Sequence, residues 1–439
     1  MIRRMAYWGL DFLKGSPVRR HLRELEGAFR DQDAALVQSR QRVRALIDHA
    51  CRTTAYYHQF LGAKELREFP VLQKRTIRER HREFLSSAYD PSSLIPVSTS
   101  GSYGTPLNFY LTREKKARRH AEIIYFSGWA GYEVGDKHAF VRVNASKSKV
   151  TLFMQNEILV SPVILDEAWL EKQRQILLQK GVRVFIGFPS AICALAEYCR
   201  AKGDGPRSFA LKAVITIGES LYEHTRAIVR QVFGCPVLSR YSTVESGVLA
   251  QECSRASRHH LNIASYVVEV LSLDSDAPVS QGELGRVVVT DLFSHAMPLI
   301  RYEIGDLATL GDSCSCGLPG PTLQRLEGRA IEEIVGTDGQ RISPFALMPF
   351  TLIGVSGGVE DIMQYQFVQK GEKSYELRLL ALPSFHQEGL VRRRLLDILG
   401  ADAELEVRYV KQIPPLPSGK RPVIINEWRQ RRSQKEFER

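Results

Sequence analysis

The sequence predicts an α/β protein with a large N-terminal domain of mainly parallel sheets and a β-rich subdomain, followed by a small α+β C-terminal domain. Between residues 138 and 241, short apolar segments alternate with helical segments of about ten or more residues, which is typical of parallel strands joined by crossover helices. From 266 to 310, β-branched runs are separated by Gly, Pro and Asp, as in antiparallel strands. Beyond 329 the pattern becomes a short mixed unit, so we expect domains at 1–328 and 329–439.

The spacing of apolar residues predicts the individual elements. Residues 17–60 have helical spacing with many charges, which indicates helices at the surface, and residues 113–131 are also expected to be helical. In the alternating part we expect strands at 138–144, 182–188, 211–218 and 236–241, and helices at 167–180, 190–202 and 222–233. In the C-terminal unit we expect helices at 344–353 and 386–399, and strands at 361–368, 374–382 and 404–411.

The composition is that of a globular protein, with 439 residues of which 44% are hydrophobic and 25% charged. The excess of 60 basic over 49 acidic residues gives a net charge of +11, which favours phosphate-rich ligands, nucleic acid or anionic lipid. Nucleic acid is the weakest of these, because no known reader motif is present. Seven cysteines without a secretory signal indicate a reducing cytoplasm.

The first fifteen residues form an apolar segment that is too short, and too interrupted by Asp11, to span a membrane. Two interpretations stay open for it. It is an ordinary docking helix, or it lies on a membrane surface at the inner face, with Trp8 and Phe12 beside basic residues.

A loop rich in Gly, Ser and Thr occupies residues 98–106, with the sequence STSGSYGTP. Glycines let backbone amides approach an anion closely, and hydroxyls donate to its oxygens, so this composition predicts a phosphate-binding loop. No Lys follows Gly104, so the loop is not the Walker loop of P-loop nucleotidases.

Five further segments follow this loop in order: GESL at 218–221, YSTVESG at 241–247, PLIRYEIGD at 298–306, LEGRAIEEI at 326–334 and LPSGKRPVI at 416–424. Together with the loop they resemble the conserved blocks of the adenylate-forming (acyl-AMP) superfamily. Within it, FPVLQKRTI, HAMPLIRYEIGD and CSCG are most similar to the phenylacetate-CoA ligases and their CapK-like relatives in capsular polysaccharide synthesis. The resemblance implies an ATP-binding domain followed by a small C-terminal lid domain.

The resemblance also implies roles for individual residues. Glu245 would hold Mg²⁺ against the ATP phosphates, Asp306 would accept hydrogen bonds from the ribose hydroxyls, and Lys420 would contact the carboxylate and the α-phosphate. The remaining positions would surround the nucleotide: Thr99, Ser100, Gly101 and Gly104 at the β- and γ-phosphates, Gly218, Glu219 and Ser220 beside the adenine, Tyr241 stacked near it with Ser242 and Thr243 following, and Arg329 near the ribose.

Four positions depart from the family pattern. Ser242 replaces the Gly expected directly after Tyr241. Tyr103 replaces a Thr of the phosphate loop, and Ile331 replaces the acidic residue expected at the hinge before the C-terminal domain. Val244 replaces a hydroxyl residue that would face the α-phosphate, and Thr243 substitutes for it only after a shift of one position. These departures concern how well ATP reacts and whether the C-terminal domain rotates.

Four soft-metal ligands occur as two short pairs, Cys253 with His260 and Cys314 with Cys316. Tetrahedral zinc prefers Cys and His, and two distant pairs are the usual way to close such a site. His259 competes with His260, and the family resemblance favours His260. We expect a structural zinc ion, with reduced thiols that merely pack as the alternative.

These observations predict a ligase that uses ATP and Mg²⁺ to form an acyl-adenylate from a carboxylic acid, and then transfers the acyl group to coenzyme A or another acceptor. One alternative is an amide or ester ligase, or a nucleotidyl transferase, of polysaccharide or natural-product synthesis that does not use coenzyme A. Another is a degenerate member that binds nucleotide at a membrane surface. An aryl pocket built from Tyr125, Phe126, Trp129, Phe188 and Tyr241 competes with a core role for these aromatics.

Overall fold

The computed structural model describes residues 2–98, 107–141, 147–160, 166–218, 221, 223–272, 275–318, 320–327, 334–342, 344–347, 352, 361–411, 413 and 424–428. The helices are α1 Ile2–Leu13, α2 Pro17–Ala28, α3 Gln32–Thr53, α4 Lys74–Glu79, α5 Arg113–Gly128, α6 Lys149–Gln155, α7 Glu167–Gln179, α8 Pro189–Ala201, α9 Glu223–Phe233 and α10 Glu388–Leu399. The strands are β1 Ile95–Ser98, β2 Asn108–Leu111, β3 His138–Val141, β4 Glu157–Val160, β5 Val184–Gly187, β6 Ala213–Ile217, β7 Val237–Ser242, β8 Val248–Glu252, β9 His259–Leu261, β10 Tyr266–Leu271, β11 Leu284–Asp291, β12 Tyr302–Gly311, β13 Thr322–Glu327, β14 Ile334–Val335, β15 Arg341–Ile342, β16 Ile362–Gln369, β17 Ser374–Ala381, β18 Glu404–Tyr409 and β19 Ile424–Asn426.

The described residues form a central sheet of eleven strands in the order β10-β11-β12-β13-β9-β8-β7-β6-β5-β3-β4. Strands β4, β3, β5, β6 and β7 are parallel, and the pairs from β7 to β10 are antiparallel. The predicted α/β class is therefore confirmed. The sequence did not predict that the parallel and antiparallel halves are joined edge to edge, through β8 and β9, into one sheet.

The parallel half is buried on both faces because crossover helices cover it. All four residues of β5 are buried, and Val214 and Val237 on the next two strands are completely inaccessible. Helices α8 and α9 supply the opposing apolar residues, among them Ile192 and Val229. Helix α8 begins with Pro189 in its first turn, where a missing N–H costs no helical hydrogen bond.

The C-terminal residues form a four-stranded sheet in the order β18-β17-β16-β19, against which α10 packs Val391, Leu395 and Leu399. Its predicted strands and second helix are present within a few residues of the expected bounds. Of the predicted helix 344–353, the described part includes a 3₁₀ turn at Pro344–Leu347. An ion pair of 3.0 Å joins Arg341 to Glu197 on α8. The domain boundary near 328 stays a prediction.

Helix α2 packs along α5 and also contacts α1 and α3, and α1 contacts α6. The sequence analysis missed several short elements, among them the helix α6 and the strands β1, β2, β4, β8, β9 and β13. The seven residues of α6 and the four residues of β4 give too few apolar positions to define a period. Among the described residues, no helix combines the length and the hydropathy needed to cross a bilayer.

Candidate functional site

The described candidate residues of the nucleotide site lie at the carboxyl ends of β6 and β7 and on β12. Gly218 follows β6, the segment from Tyr241 to Glu245 ends β7 and begins the next loop, and Asp306 lies on β12. Carboxyl ends of parallel strands meet at one edge of a sheet, where open α/β folds bind ligands. Eight predicted residues lie outside the described part of the chain: Thr99, Ser100, Gly101, Gly104, Glu219, Ser220, Arg329 and Lys420.

Gly218 has a φ of 76°, in the left-handed region that favours glycine. It turns the chain directly after β6, before helix α9 begins at Glu223. A turn of this kind can present backbone groups to a flat ligand such as a nucleotide base.

The hydroxyl of Tyr241 donates a hydrogen bond of 2.9 Å to Oδ2 of Asp306. Tyr241 is buried with 9% exposure, whereas Asp306 is half-buried. Strands β8, β9 and β13 lie between β7 and β12 in the sheet order. At a strand spacing of about 4.8 Å, a flat sheet would place β7 and β12 about 19 Å apart, so the sheet curves strongly and closes around this contact.

Glu245 is buried at 6% exposure, and its Oε1 accepts a hydrogen bond of 3.3 Å from the hydroxyl of Tyr302. The loop that carries it is a tight turn. The amide of Thr243 donates to the carbonyl of Gly247 at 3.0 Å, and the amide of Ser246 donates to the Thr243 hydroxyl at 3.1 Å. The Thr243 hydroxyl therefore acts as an acceptor in the turn and retains its own proton to donate to a ligand.

Buried polar side chains of α5 and β10 form hydrogen bonds to the backbone of this loop and of the residue that follows it. The amide of Val248 donates to Oε2 of Glu122 at 3.2 Å, and the hydroxyl of Tyr266 lies 3.0 Å from the carbonyl oxygen of Ser246 and 3.0 Å from Oε2 of Glu122. Gly247 has a φ of 138°, and a Cβ there would lie 2.5 Å from Oε2 of Glu122. This close approach explains why a glycine occupies position 247, two residues after Glu245.

The same network contains a fully buried ion pair. The ammonium of Lys115 lies 2.7 Å from the carboxylate of Asp291 and donates to the Tyr266 hydroxyl at 3.2 Å. Burial raises the pKa of Tyr266 well above its ordinary value, so its hydroxyl remains protonated and can donate. These long-range contacts fix the backbone directly after Glu245.

The four predicted soft ligands converge at a second place in the molecule. Ligand atoms of Cys253, His260, Cys314 and Cys316 all lie within 4.8 Å of one another. Cys253 follows β8, His260 lies on β9, and the other two cysteines lie in the connection from β12 to β13. Since β9 pairs with both β8 and β13, the sheet itself brings the two ligand pairs together.

The chemistry of this donor set fits a tetrahedral metal ion. A zinc ion bound to thiolates at about 2.3 Å requires ligand separations near 3.8 Å, and Nε2 of His260 lies 3.4 Å from Sγ of Cys316. The amides of Arg255 and Leu318 donate to Sγ of Cys253 and Cys316, at 3.4 and 3.3 Å. Such donors stabilise negative charge on sulfur. His260 is fully buried, and its Nδ1 has no hydrogen-bond partner among the described residues.

His259 lies outside the cluster, on the opposite face of β9. Burial, with the charge of Arg226 and the neighbouring His260, lowers its pKa to about 3, so the ring is neutral. Of the two adjacent histidines, the structure therefore places His260 among the cysteines, as the family resemblance favoured.

The aromatic residues considered for an aryl pocket are mostly part of the core. Phe126 is inaccessible, and its ring packs edge-on against those of Phe29 and Trp129. Trp129 in turn contacts the ring of His260. These contacts favour the core interpretation and leave the acid without an assigned aryl pocket.

Four residues around this site have no role predicted from the sequence: Tyr302, Glu122, Tyr266 and Arg119. Tyr302 lies within a recognised segment, PLIRYEIGD, but its contact with Glu245 spans 57 positions. Glu122 and Arg119 lie on α5, whose many charged residues are typical of a helix exposed to solvent. No local pattern distinguishes these residues, because their partners come from distant strands.

Comparison with known proteins gives one consistent picture. No protein-family model matches the chain. Protein CapK of Staphylococcus aureus is 20% identical over 443 residues, covering 95% of each chain. Phenylacetate-coenzyme A ligase of Thermus thermophilus is 30% identical over 169 residues, covering 36% of this chain and 38% of the relative. Two structures of a 2-hydroxyisobutyryl-CoA ligase, one with acyl-AMP and one with acyl-AMP and CoA, share the fold at TM-scores of 0.60 and 0.62, with 18% and 19% identity over 91% and 92% of both chains.

Proposed function

We infer that this chain, which belongs to the adenylate-forming superfamily, activates a carboxylic acid with ATP and transfers the acyl group to coenzyme A. The observation that carries this proposal is the pair Tyr241 and Asp306, with Glu245 on the loop directly after Tyr241. An aromatic ring, a ribose acceptor and a metal-binding carboxylate are thereby presented at one edge of the sheet. Together they match the needs of a Mg²⁺-nucleotide.

In the first half-reaction, a carboxylate oxygen attacks the α-phosphorus of ATP, the bond to the pyrophosphate oxygen breaks, and acyl-AMP and pyrophosphate result. The carboxylate of Asp306 accepts hydrogen bonds from the ribose hydroxyls, and the Tyr241 hydroxyl orients the Asp306 carboxylate by its hydrogen bond. Glu245 would hold Mg²⁺, and the bound ion would neutralise charge on the phosphate oxygens. Thr243 donates its hydroxyl toward the α-phosphate in place of the missing hydroxyl at Val244.

The residues outside the described part complete this proposal through the family resemblance. Thr99, Ser100, Gly101 and Gly104 hold the departing pyrophosphate. Lys420 offsets charge that develops on the carboxylate and α-phosphate, and the C-terminal residues 329–439 act as a lid that brings it to the site. The remaining predicted positions, Glu219, Ser220 and Arg329, border the nucleotide.

In the second half-reaction, the sulfur of coenzyme A attacks the acyl carbonyl of acyl-AMP, the bond to the phosphate oxygen breaks, and AMP leaves with the thioester formed. The relative with acyl-AMP and CoA bound has the same fold, which supports coenzyme A as the acceptor. The thiol proton passes to solvent or to a basic group of the site.

Carboxylate-dependent exchange of labelled pyrophosphate into ATP tests the first step directly. With a broad panel of acids, we expect exchange for at least one acid and none without acid or Mg²⁺. Failure with every acid, in protein that is folded and binds ATP, would contradict adenylation. It would instead support the degenerate nucleotide-binding alternative, which the loss of a hydroxyl at Val244 favours.

A ligase that forms an amide or ester without coenzyme A is the second candidate. It is favoured by the match to protein CapK over 95% of both chains, which is longer than the match to the phenylacetate-CoA ligase. AMP release measured with coenzyme A, with amino sugars and with amino acids separates the two. Acyl-CoA formation that is faster than every other acyl transfer supports the first proposal, and transfer to an amine or hydroxyl alone supports the second.

We also propose that the cluster of three cysteines and His260 binds a structural zinc ion. The site has four protein ligands and therefore no open position for a substrate. The ion would join the connection after β8 to the connection between β12 and β13. Since β12 carries Asp306, the ion would stabilise the half of the sheet that supports the nucleotide.

Finally, we propose a cytoplasmic protein that associates peripherally with anionic membrane. Helix α1 exposes Met5, Phe12 and Leu13 at 65%, 71% and 79%, and the adjacent α6 exposes Phe153 at 63%, with the guanidinium of Arg3 lying 4.6 Å from its ring centre. Exposed apolar residues beside cations suit an anionic bilayer. Sedimentation with phosphatidylglycerol vesicles should be lost in the double variant Phe12→Ser, Leu13→Ser, and equal sedimentation of both proteins would contradict this proposal.

A further inference from the structure

Helix α5 carries two sets of basic residues with different environments. Lys115 and Arg118 point inward and are paired with carboxylates: Lys115 with Asp291 at 2.7 Å, and Arg118 with Glu24 at 3.0 Å. Buried cations paired in this way have a structural role. Their charges are balanced by the paired carboxylates and are not available to a ligand.

The second set consists of Lys116, Arg119 and His120, which lie on one face because residues three and four apart are neighbours on a helix. Within the described part of the chain, Lys116 and Arg119 have no carboxylate partner. Lys116 is exposed, and the other two are half-buried. Two unpaired cations on a helix next to a candidate active site are available to an anion.

Two further lysines converge on this face. Burial first, and then the positive charges of Lys116, Arg119, Lys147 and Lys14, lower the pKa of His120 to about 4. Lys14 follows α1 and is exposed, while Lys147 precedes α6 and is paired with Glu157 at 2.7 Å. Three separate parts of the chain therefore direct positive charge to one place, and His120 there is neutral at pH 7.

We call Lys14, Lys116, Arg119, His120 and Lys147 the cation cluster, and its member Arg119 borders the loop that carries Glu245. A Cβ on Gly247 would lie 3.2 Å from Cγ of Arg119, so the Arg119 side chain packs directly on the loop backbone. Glu122, one helical turn beyond Arg118, is hydrogen-bonded to the same loop. The cluster is thus adjacent to the proposed site of acyl transfer, and it extends from there to exposed lysines at the surface.

We propose that this cluster binds a phosphate group carried by the acyl acceptor. Arginine recognises phosphate through two parallel hydrogen bonds, and lysines add charge at longer range. The inference rests on the proposed function, since it assumes that an acceptor approaches acyl-AMP near Glu245. Two acceptors share this chemistry: coenzyme A, through its nucleotide phosphates, and a nucleoside-diphosphate amino sugar.

The position of the cluster distinguishes the acceptor from the other two substrates. The triphosphate of ATP is assigned to the loop at 99–106 and to Mg²⁺ on Glu245, so it does not require a further set of cations. The reacting acid must be enclosed, because water would hydrolyse acyl-AMP, whereas Lys14 and Lys116 are exposed. A long acceptor whose phosphates remain at the mouth of the site fits an exposed cluster.

The test compares wild type with Arg119→Gln and Lys116→Gln, using Arg200→Gln on α8 as a control that removes one exposed arginine charge outside the cluster. Direct binding of coenzyme A, 3′-dephospho-coenzyme A, unphosphorylated pantetheine and a uridine-diphosphate amino sugar is measured by calorimetry. Binding requires no turnover, so this measurement remains informative if pyrophosphate exchange fails. The KM values for ATP and for the acid are measured separately by pyrophosphate exchange.

We expect Arg119→Gln to weaken binding of one phosphorylated acceptor about 10-fold or more, Lys116→Gln to weaken it about 3-fold or more, and Arg200→Gln to change it less than about 2-fold. Pantetheine should be unaffected by all three. Weakened coenzyme A binding identifies that acceptor, and weakened binding of the amino sugar identifies the other. Unchanged binding of both, or a 10-fold rise in KM for ATP or the acid alone, would overturn the proposal. Lys116 is exposed, so its variant tests the idea even if Arg119→Gln folds poorly.

Discussion

Tyr241 and Asp306 are 65 positions apart and are joined by a hydrogen bond of 2.9 Å from the tyrosine hydroxyl to the carboxylate. The contact connects β7 of the parallel half of the sheet to β12 of the antiparallel half. It therefore depends on the curvature of the whole sheet. Any nucleotide held by Asp306 is in turn positioned relative to the loop after Tyr241.

Removing the Asp306 carboxylate should weaken nucleotide binding more than removing the Tyr241 hydroxyl. Asp306→Ala loses hydrogen bonds between a charged group and the ribose, worth about 1.5–3 kcal/mol, so KM for ATP should rise about 10- to 150-fold. Tyr241→Phe loses one orienting hydrogen bond of about 0.5–1.5 kcal/mol, which corresponds to about 2- to 13-fold. Pyrophosphate exchange at varied ATP measures both. A larger effect for Tyr241→Phe, or a change in KM for the acid alone, would contradict the assigned roles.

Glu245→Gln should impair use of Mg²⁺. An amide oxygen keeps the shape of the side chain but loses the negative charge that a hard cation prefers, so we expect exchange to fall about 100- to 1000-fold at low Mg²⁺ and to recover partly at high Mg²⁺. Tyr302→Phe removes the hydrogen bond to Oε1 but keeps the Glu245 carboxylate, so it serves as the matched variant, with a fall of less than about 10-fold. A Mg²⁺ titration of each protein gives the comparison. Equal Mg²⁺ dependence in Glu245→Gln and wild type would exclude Glu245 as the ligand.

The sequence was sufficient to predict most of the alternating half of the fold, apart from α6 and β4. The helices Glu167–Gln179 and Pro189–Ala201 and the strands Val184–Gly187 and Ala213–Ile217 lie within two residues of their expected bounds. Their apolar runs are long and are separated by clear breaks, so local period and length determine them. The antiparallel half was also expected, but its joining to the parallel half depends on pairing at β8 and β9, which no local pattern specifies.

The residues of the candidate site could likewise be predicted only in part. Tyr241, Glu245 and Asp306 were identified because each lies in a segment with a recognisable family pattern. Glu122, Lys115 and Arg119 were not, since on a charged helix a side chain that packs against distant segments looks the same in sequence as one facing water. Only the tertiary structure separates Lys115, paired with Asp291, from Lys116 at the surface.

Replacing Lys115 alone should lower the free energy of unfolding more than replacing both Lys115 and Asp291. Both side chains are almost inaccessible, so Lys115→Met leaves an unpaired buried carboxylate and should cost about 3–5 kcal/mol of unfolding free energy. Adding Asp291→Leu removes that charge and should recover a large part of the loss. Urea unfolding followed by tryptophan fluorescence measures all three proteins. A double variant that is less stable than Lys115→Met would show that the pair does not act as a unit.

The cysteine-histidine cluster should bind about one zinc ion per chain. The zinc content should depend on the four cluster residues and not on the other cysteines. Cys253→Ser or Cys316→Ser removes a thiolate and should abolish stoichiometric zinc and lower the melting temperature, because the connections after β8 and β12 lose their shared ligand. Cys235→Ser and His259→Ala, at buried positions outside the cluster, serve as controls and should retain the metal. Metal content is measured by atomic absorption, and Co²⁺ substitution should give the absorption of a tetrahedral thiolate complex. Wild-type protein that is purified without chelator, contains no zinc and has seven titratable thiols would show that these cysteines only pack.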